Sequence, residues 1–142
     1  MFVHRLRVRY HECDQQGVVF NANYVSYYDV ALTEMWRALL GSYQSMVDQG
    51  HDLVIAESRL RYLSPARFDD EVDISLNIHH VGTTSLIMRP EYRVGDTLTT
   101  EGEIRHVFIN TATFTKAPIP DYVRAALARV SSPATTQASP NE

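Results

Sequence analysis

Apolar and polar positions alternate from Phe2 to Tyr10. Phe2, His4, Leu6, Val8 and Tyr10 share one face, and Val3, Arg5, Arg7 and Arg9 take the other. Period two predicts a strand, and its arginines read as a solvated face. From Asn23 the period changes: Val25, Tyr28, Leu32, Met35 and Leu39 recur at spacings of three and four, which predicts a helix of about four turns with one apolar side. Asn21 or Asn23 can cap its start, and Gly41 follows the last periodic residue as a terminator. The pattern then returns to strands over Leu53–Leu63, Val72–Ile78, Ser85–Arg93 and Leu98–Phe108. SPARFDD, HHVGTT and VGDT separate them, and the Gly, Pro and Asp in these segments mark turns. Such short separators predict antiparallel neighbours. A second, short helix is expected over Asp121–Val130, behind Pro118 and Pro120. The class is therefore α+β, with a sheet of about five antiparallel strands that needs something apolar to wrap. The long helix, carrying Tyr24, Tyr27, Tyr28, Met35 and Trp36, is the obvious filling.

Composition narrows this only a little. A chain of 142 residues, 44% hydrophobic and 21% charged, makes one globular domain, here 1–130, and SSPATTQASPNE over 131–142 reads as a disordered polar tail. A net charge of -4 argues against a nucleic-acid partner, because such binding relies on a basic surface. The single Cys13 cannot form an intrachain disulfide. Arginines interrupt the first residues where a signal peptide would have an apolar core, and no apolar run approaches the roughly 18 residues of a membrane span. A cytoplasmic protein is expected.

Which chemistry fits? The six histidines, at 4, 11, 51, 79, 80 and 106, include no His-x-x-x-His pair and have no Cys partner at ligand spacing, so neither metal nor cofactor is expected. There is no G-x-S-x-G elbow for a serine nucleophile. Asp14 beside Cys13 raises the thiol's pKa, which favours a packing role for the sulfur. What remains is Asp14 itself, in a glycine-containing loop seven residues ahead of Asn21. Such an acid is usually a turn former or a cap. A helix start changes the odds, because its unpaired N–H groups and partial positive charge form a ready oxyanion hole. A carboxylate on the opposite side of a bound carbonyl can attack it or deprotonate a water that does. A thioester suits so small a device, since a thiol of pKa about 8.5 leaves without a general acid.

The segment RYHECDQQGVVFNANYVSYYDVALTE, with YLSPARFDDEVDI and VGTTSL downstream, resembles the hotdog-fold acyl-CoA thioesterases of the 4-hydroxybenzoyl-CoA thioesterase class, including those associated with the Tol-Pal envelope system. The likeness runs from about Phe2 to Phe114. It implies a hotdog fold, an acyl-CoA substrate, and a homodimer or homotetramer with subunits paired edge to edge and active sites at the interface. Residue by residue, it implies that Asp14 is the nucleophile or general base and that the Asn21 backbone N–H polarises the thioester carbonyl. Gly17 matches the loop glycine that allows close backbone approach. Asp29 matches an acidic helix position that can face the acyl group, and Thr83, Thr84 and Ser85 align with a turn near the CoA arm. Tyr24, nearest the carbonyl site, is the substrate-facing aromatic. Many members carry His where Asn21 stands, which leaves the backbone amide as the donor here. Arg61, Arg89 and Arg105 are candidate phosphate ligands, with surface ion pairs the stronger reading for each. Glu34 is expected to pair with Arg37 instead of acting as the acid. Two rival functions remain at this point, a non-catalytic acyl-CoA binding protein and a hotdog dehydratase acting on acyl-carrier thioesters. The second asks for a catalytic His that Asn21 displaces.

Overall fold

The computed structural model describes residues 1–131; the expected polar tail lies almost wholly outside them. The chain opens with strand β1 (Phe2–Arg7) and a 3-10 turn at Tyr10–Glu12, then enters helix α1 (Asn23–Leu40) and helix α2 (Tyr43–Asp48). Strands β2 (His51–Tyr62), β3 (Glu71–Val81), β4 (Ser85–Val94) and β5 (Thr97–Asn110) follow, then a short β6 (Thr115–Lys116) and helix α3 (Asp121–Ala128). All pairings are antiparallel, in the order β1-β3-β4-β5-β2, with β6 added to β5.

Helix α1 fills the curl of this sheet. Tyr24, Tyr27, Tyr28, Ala31, Leu32, Met35 and Trp36 are buried along it, against Val72, Ile74 and Leu76 of β3, Leu86, Met88 and Tyr92 of β4, and Ile104 and Phe108 of β5. A fully buried side chain of this size contributes about 1.5–3 kcal/mol of transfer free energy, so the helix and the sheet hold each other. Tyr92 fixes their relative height by donating its hydroxyl to the Tyr24 carbonyl at 2.8 Å. Gly41 ends the helix as expected, at φ 84° with its N–H on the Arg37 carbonyl at 3.0 Å.

Three expectations are corrected. The first strand stops at Arg7, and Tyr10 is 82% exposed in the turn that follows instead of facing the core. Helix α2 was not expected; Ser42 caps it, its hydroxyl accepting from the Ser45 N–H at 3.0 Å. Neither Asn21 nor Asn23 caps α1 with its side chain, because Ala22 is already helical at φ -63°, ψ -25°. The arginine face of β1 is solvent-exposed as expected, with Arg5 on Asp73 and Arg7 on Glu71. Among the described residues no helix is long and apolar enough to cross a membrane.

Candidate active site

The loop carrying Asp14 is a three-residue hairpin. The Asp14 N–H reaches the Val18 carbonyl at 2.8 Å, and the Gly17 N–H closes on the Asp14 carbonyl at 2.9 Å. Gly17 sits at φ 77°, the left-handed position such loops require and glycine supplies without strain. Nothing among the described residues lies within 4 Å of where its Cβ would be, so its visible role is this conformation. One oxygen of the half-buried Asp14 carboxylate accepts the Gln16 N–H at 2.8 Å, which fixes the side chain's rotation. No partner for the other oxygen occurs among the described residues.

Glu12, which the sequence did not single out, ties this loop to α1. Its carboxylate is 8% exposed and accepts the Arg9 N–H at 2.7 Å, the Arg9 guanidinium at 3.2 Å and the Tyr27 hydroxyl at 3.1 Å. Burial pushes its pKa up, but the Arg9 and Tyr27 hydrogen bonds outweigh that and hold it below the ordinary glutamate range. Its backbone carbonyl accepts both the Phe20 N–H and the Asn23 side-chain amide. The same contacts raise the Tyr27 phenol well above the usual range, burial first and Glu12 second.

At the helix start, the Asn23 and Tyr24 amides bond back to the Phe20 and Asn21 carbonyls. The Asn21 and Ala22 amides have no acceptor among the described residues. They lie just ahead of α1, where the helix dipole adds partial positive charge.

Asp14 and Asn21 open onto one pocket of about 470 Å³, with Gln16, Val18, Val19, Phe20, Tyr24, Tyr62, Leu63, Ser64 and Pro65 as its other walls. Tyr62 reaches from the end of β2 to the Asn21 carbonyl at 3.4 Å and packs on Tyr24 at 5.5 Å. Tyr24 is 3% exposed, and burial raises its phenol. Its ring is a wall, which agrees with its candidacy only in placing it beside Asn21. The Cys13 thiol is raised by burial and by Glu12 and Asp14, as befits a packing residue.

The other candidates lie elsewhere in the chain. Asp29 is five residues beyond Tyr24, about 140° round the helix, and lines a separate pocket of about 260 Å³ with Leu32, Trp36, Tyr43, Ile55 and His106. Burial raises its carboxyl. Thr83, Thr84 and Ser85 form the β3–β4 turn. The Thr83 and Thr84 carbonyls accept the Ile119 and Phe108 amides, and Ser85 pairs with Val107. Tyr62, at the Asp14 pocket, pairs with Thr100, so the turn sits seven β5 residues away, roughly 23 Å at strand rise. One chain alone does not bring these residues to Asp14. Arg61 pairs with Glu101 at 3.5 Å and Arg89 with Glu103 at 3.0 Å, while Glu34 pairs with Arg37 as expected. Among the described residues no cluster of His, Cys, Asp and Glu suited to a metal ion occurs.

Residues 8–127 match the model of the thioesterase-like superfamily. The chain belongs to this superfamily. The acyl-CoA thioester hydrolase YbgC of Escherichia coli is 33% identical over 106 residues, spanning 74% of this chain and 79% of the relative. A solved hypothetical protein from Thermus thermophilus is 28% identical, with a TM-score of 0.84 over 91% of this chain and 98% of that one. A 1,4-dihydroxy-2-naphthoyl-CoA thioesterase from Synechocystis shares the fold at a TM-score of 0.82 and 20% identity, over 93% of this chain and 98% of that one. The curled sheet around α1 is thus the hotdog fold of these thioesterases.

Proposed function

We propose that this thioester hydrolase cleaves acyl-CoA, with Asp14 as nucleophile or general base and the Asn21 backbone amide as oxyanion donor. What carries the reading is one pocket lined by both the Asp14 carboxylate and Asn21, whose N–H has no acceptor among the described residues. A carbonyl lodged between them faces a base on one side and a preorganised dipole on the other. The charge that develops on its oxygen falls at the positive end of α1. The thiol then leaves as thiolate, so the step needs no general acid. Among the described residues no histidine lines the pocket, which disfavours the dehydratase reading.

A homodimer, or a homotetramer built from it, is supported by the sheet. Among the described residues strand β2 pairs only with β5, so its other edge is open there over twelve residues. A second copy joined there would lie beside the Asp29 pocket, which Leu53 and Ile55 of β2 help to line. In that arrangement Asp29 and the Thr83–Ser85 turn meet the acyl group and the CoA arm only once the partner is in place.

Thiol release from a panel of CoA thioesters tests the reading. Asp14→Asn keeps the shape and removes the base, so turnover should fall by about 10² to 10⁴ with substrate binding retained. Asn21→Ala keeps the amide and should leave turnover within about twofold, since the donor belongs to the backbone. Full activity in Asp14→Asn would remove Asp14 from the mechanism. Binding without thiol release by the wild-type protein would favour the non-catalytic alternative.

A further inference from the structure

Almost every arginine side chain of the described residues has an acceptor. Arg5, Arg7, Arg9, Arg37, Arg59, Arg61, Arg89 and Arg93 pair with carboxylates, while Arg124 and Arg129 donate to the Gly82 and Leu39 carbonyls. Only Arg67 and Arg105 have guanidinium groups with no acceptor among the described residues. Arg105 is exposed in the middle of β5, away from any pocket described above. Arg67 is placed differently.

Three short segments run side by side next to the candidate site. Cys13 bridges Val19, and Val18 bridges Arg67, both antiparallel. The Asp14 N–H bonds to the Val18 carbonyl, and the Val19 N–H to the Ala66 carbonyl, each at 2.8 Å. Residues opposite each other in such ladders project from the same face, and successive residues from opposite faces. Cys13, Val19 and Ala66 therefore share the inner face, and Asp14, Val18 and Arg67 form a row across the outer one. Burial agrees, since Val19 and Ala66 are buried and Arg67 is exposed. Asp14 and Val18 line the pocket, and Arg67 stands one strand further out, about 10 Å from Asp14 at the usual strand spacing. The nearby carboxylates are engaged elsewhere. Asp70 accepts the Arg67 backbone N–H at 2.8 Å, and Asp69 lies 3.4 Å from Arg7.

We propose that Arg67 binds the phosphates of the thioester's carrier as its arm leaves the Asp14 pocket. The inference rests on the hydrolase reading and adds a binding residue to it. An unpaired guanidinium outside the cavity meets the part of the substrate that stays outside, and for CoA that part carries the phosphates. A planar fork of donors suits phosphate oxygens. An anionic acyl group is disfavoured as the ligand, because it would sit inside, beside the Asp14 carboxylate.

The test compares one acyl group on CoA and on N-acetylcysteamine, which has the thiol end of the arm and no phosphate. Arg67→Gln should raise KM for the CoA thioester about tenfold with kcat nearly unchanged, and leave both constants alone for the short thioester. Raising ionic strength should weaken wild-type binding of the CoA thioester and have less effect on Arg67→Gln. Arg5→Gln, on the ion-paired outer face of β1, should match the wild type on both substrates. Equal effects of Arg67→Gln on the two substrates, or none on either, would overturn the assignment. If the wild-type protein releases no thiol at all, the hydrolase reading fails and calorimetry with free CoA decides Arg67 separately. Weaker CoA binding by Arg67→Gln then supports the assignment, and equal binding refutes it.

Discussion

Glu12 and His106 are buried ionisable residues that set how the protein responds to acid, and they titrate in different windows. His106 is 2% exposed, shares a 2.6 Å hydrogen bond with the Tyr28 hydroxyl, and stacks on that ring. Burial depresses its pKa from 6.5 to about 4. The unfolded chain therefore takes up a proton before the folded one does, and stability is lost as pH falls from 6.5 toward 4. Between pH 7 and pH 5 this amounts to about 2 kcal/mol, and urea unfolding at the two values should show that loss in the wild type and much less in His106→Gln. Glu12 acts lower. Its folded pKa is depressed, so its contribution is complete above the unfolded value of about 4.3 and disappears as pH drops through the folded one. Glu12→Ala strands the Tyr27 hydroxyl and the Arg9 amide. It should cost about 2–4 kcal/mol at pH 7 in the same assay and slow turnover as the Asp14 loop loosens. Neither role was legible in the sequence, because each depends on a partner brought in by folding: Tyr27 for Glu12, and Tyr28, on another element, for His106. The placing of Asp14 and Asn21 at one pocket was legible because a glycine turn and a helix start are local devices.

Elements were recovered where they were long and periodic. Helix α1 has five turns of one-sided apolar spacing, and the four long strands alternate between turn signals, so pattern alone located them. Helix α2 has only six residues, too few to show a period, and it stands on a cap and on a hydrogen bond from Tyr43 to Asp52. Strand β1 was drawn too long because alternation continues through Val8 to Tyr10, where the chain turns to deliver Glu12 beneath α1. One strand position is set by a backbone approach that sequence pattern does not reveal. A Cβ on Gly102 of β5 would lie 2.3 Å from the Arg59 carbonyl oxygen of β2. Gly102→Ala must therefore push the two strands apart, and overpacking of that kind costs about 1–3 kcal/mol. Thermal unfolding should register it. Gly95→Ala tests the alternative cause, since none of the described residues lies within 4 Å there and the whole cost would come from its φ of 57°.

At the scale of the whole molecule, the candidate residues fall into two groups that one chain keeps apart. Asp14, Asn21 and Tyr24 surround one pocket, while Asp29 lines another and Thr83–Ser85 close the far end of the sheet. Sequence order could not reveal this separation, because it depends on how far round the helix and how far along β5 each residue falls. An open β2 edge is both an opportunity and a hazard, since unpaired strand edges recruit other chains. Its partner on the other side of the sheet, β1, is lined with ion-paired arginines that discourage such pairing. If a second copy fills the β2 edge and completes the site, activity must follow assembly. Specific activity on a CoA thioester should then fall on dilution, along the same curve as the mass seen by sedimentation. Ala56→Pro provides the structural check. Ala56 is exposed at the bulge where β2 skips a pairing with β5, so proline there costs the chain's own ladder little while blocking the outer edge. It should yield a folded monomer with little turnover, whereas a monomer as active as the wild type would show that each chain carries a complete site.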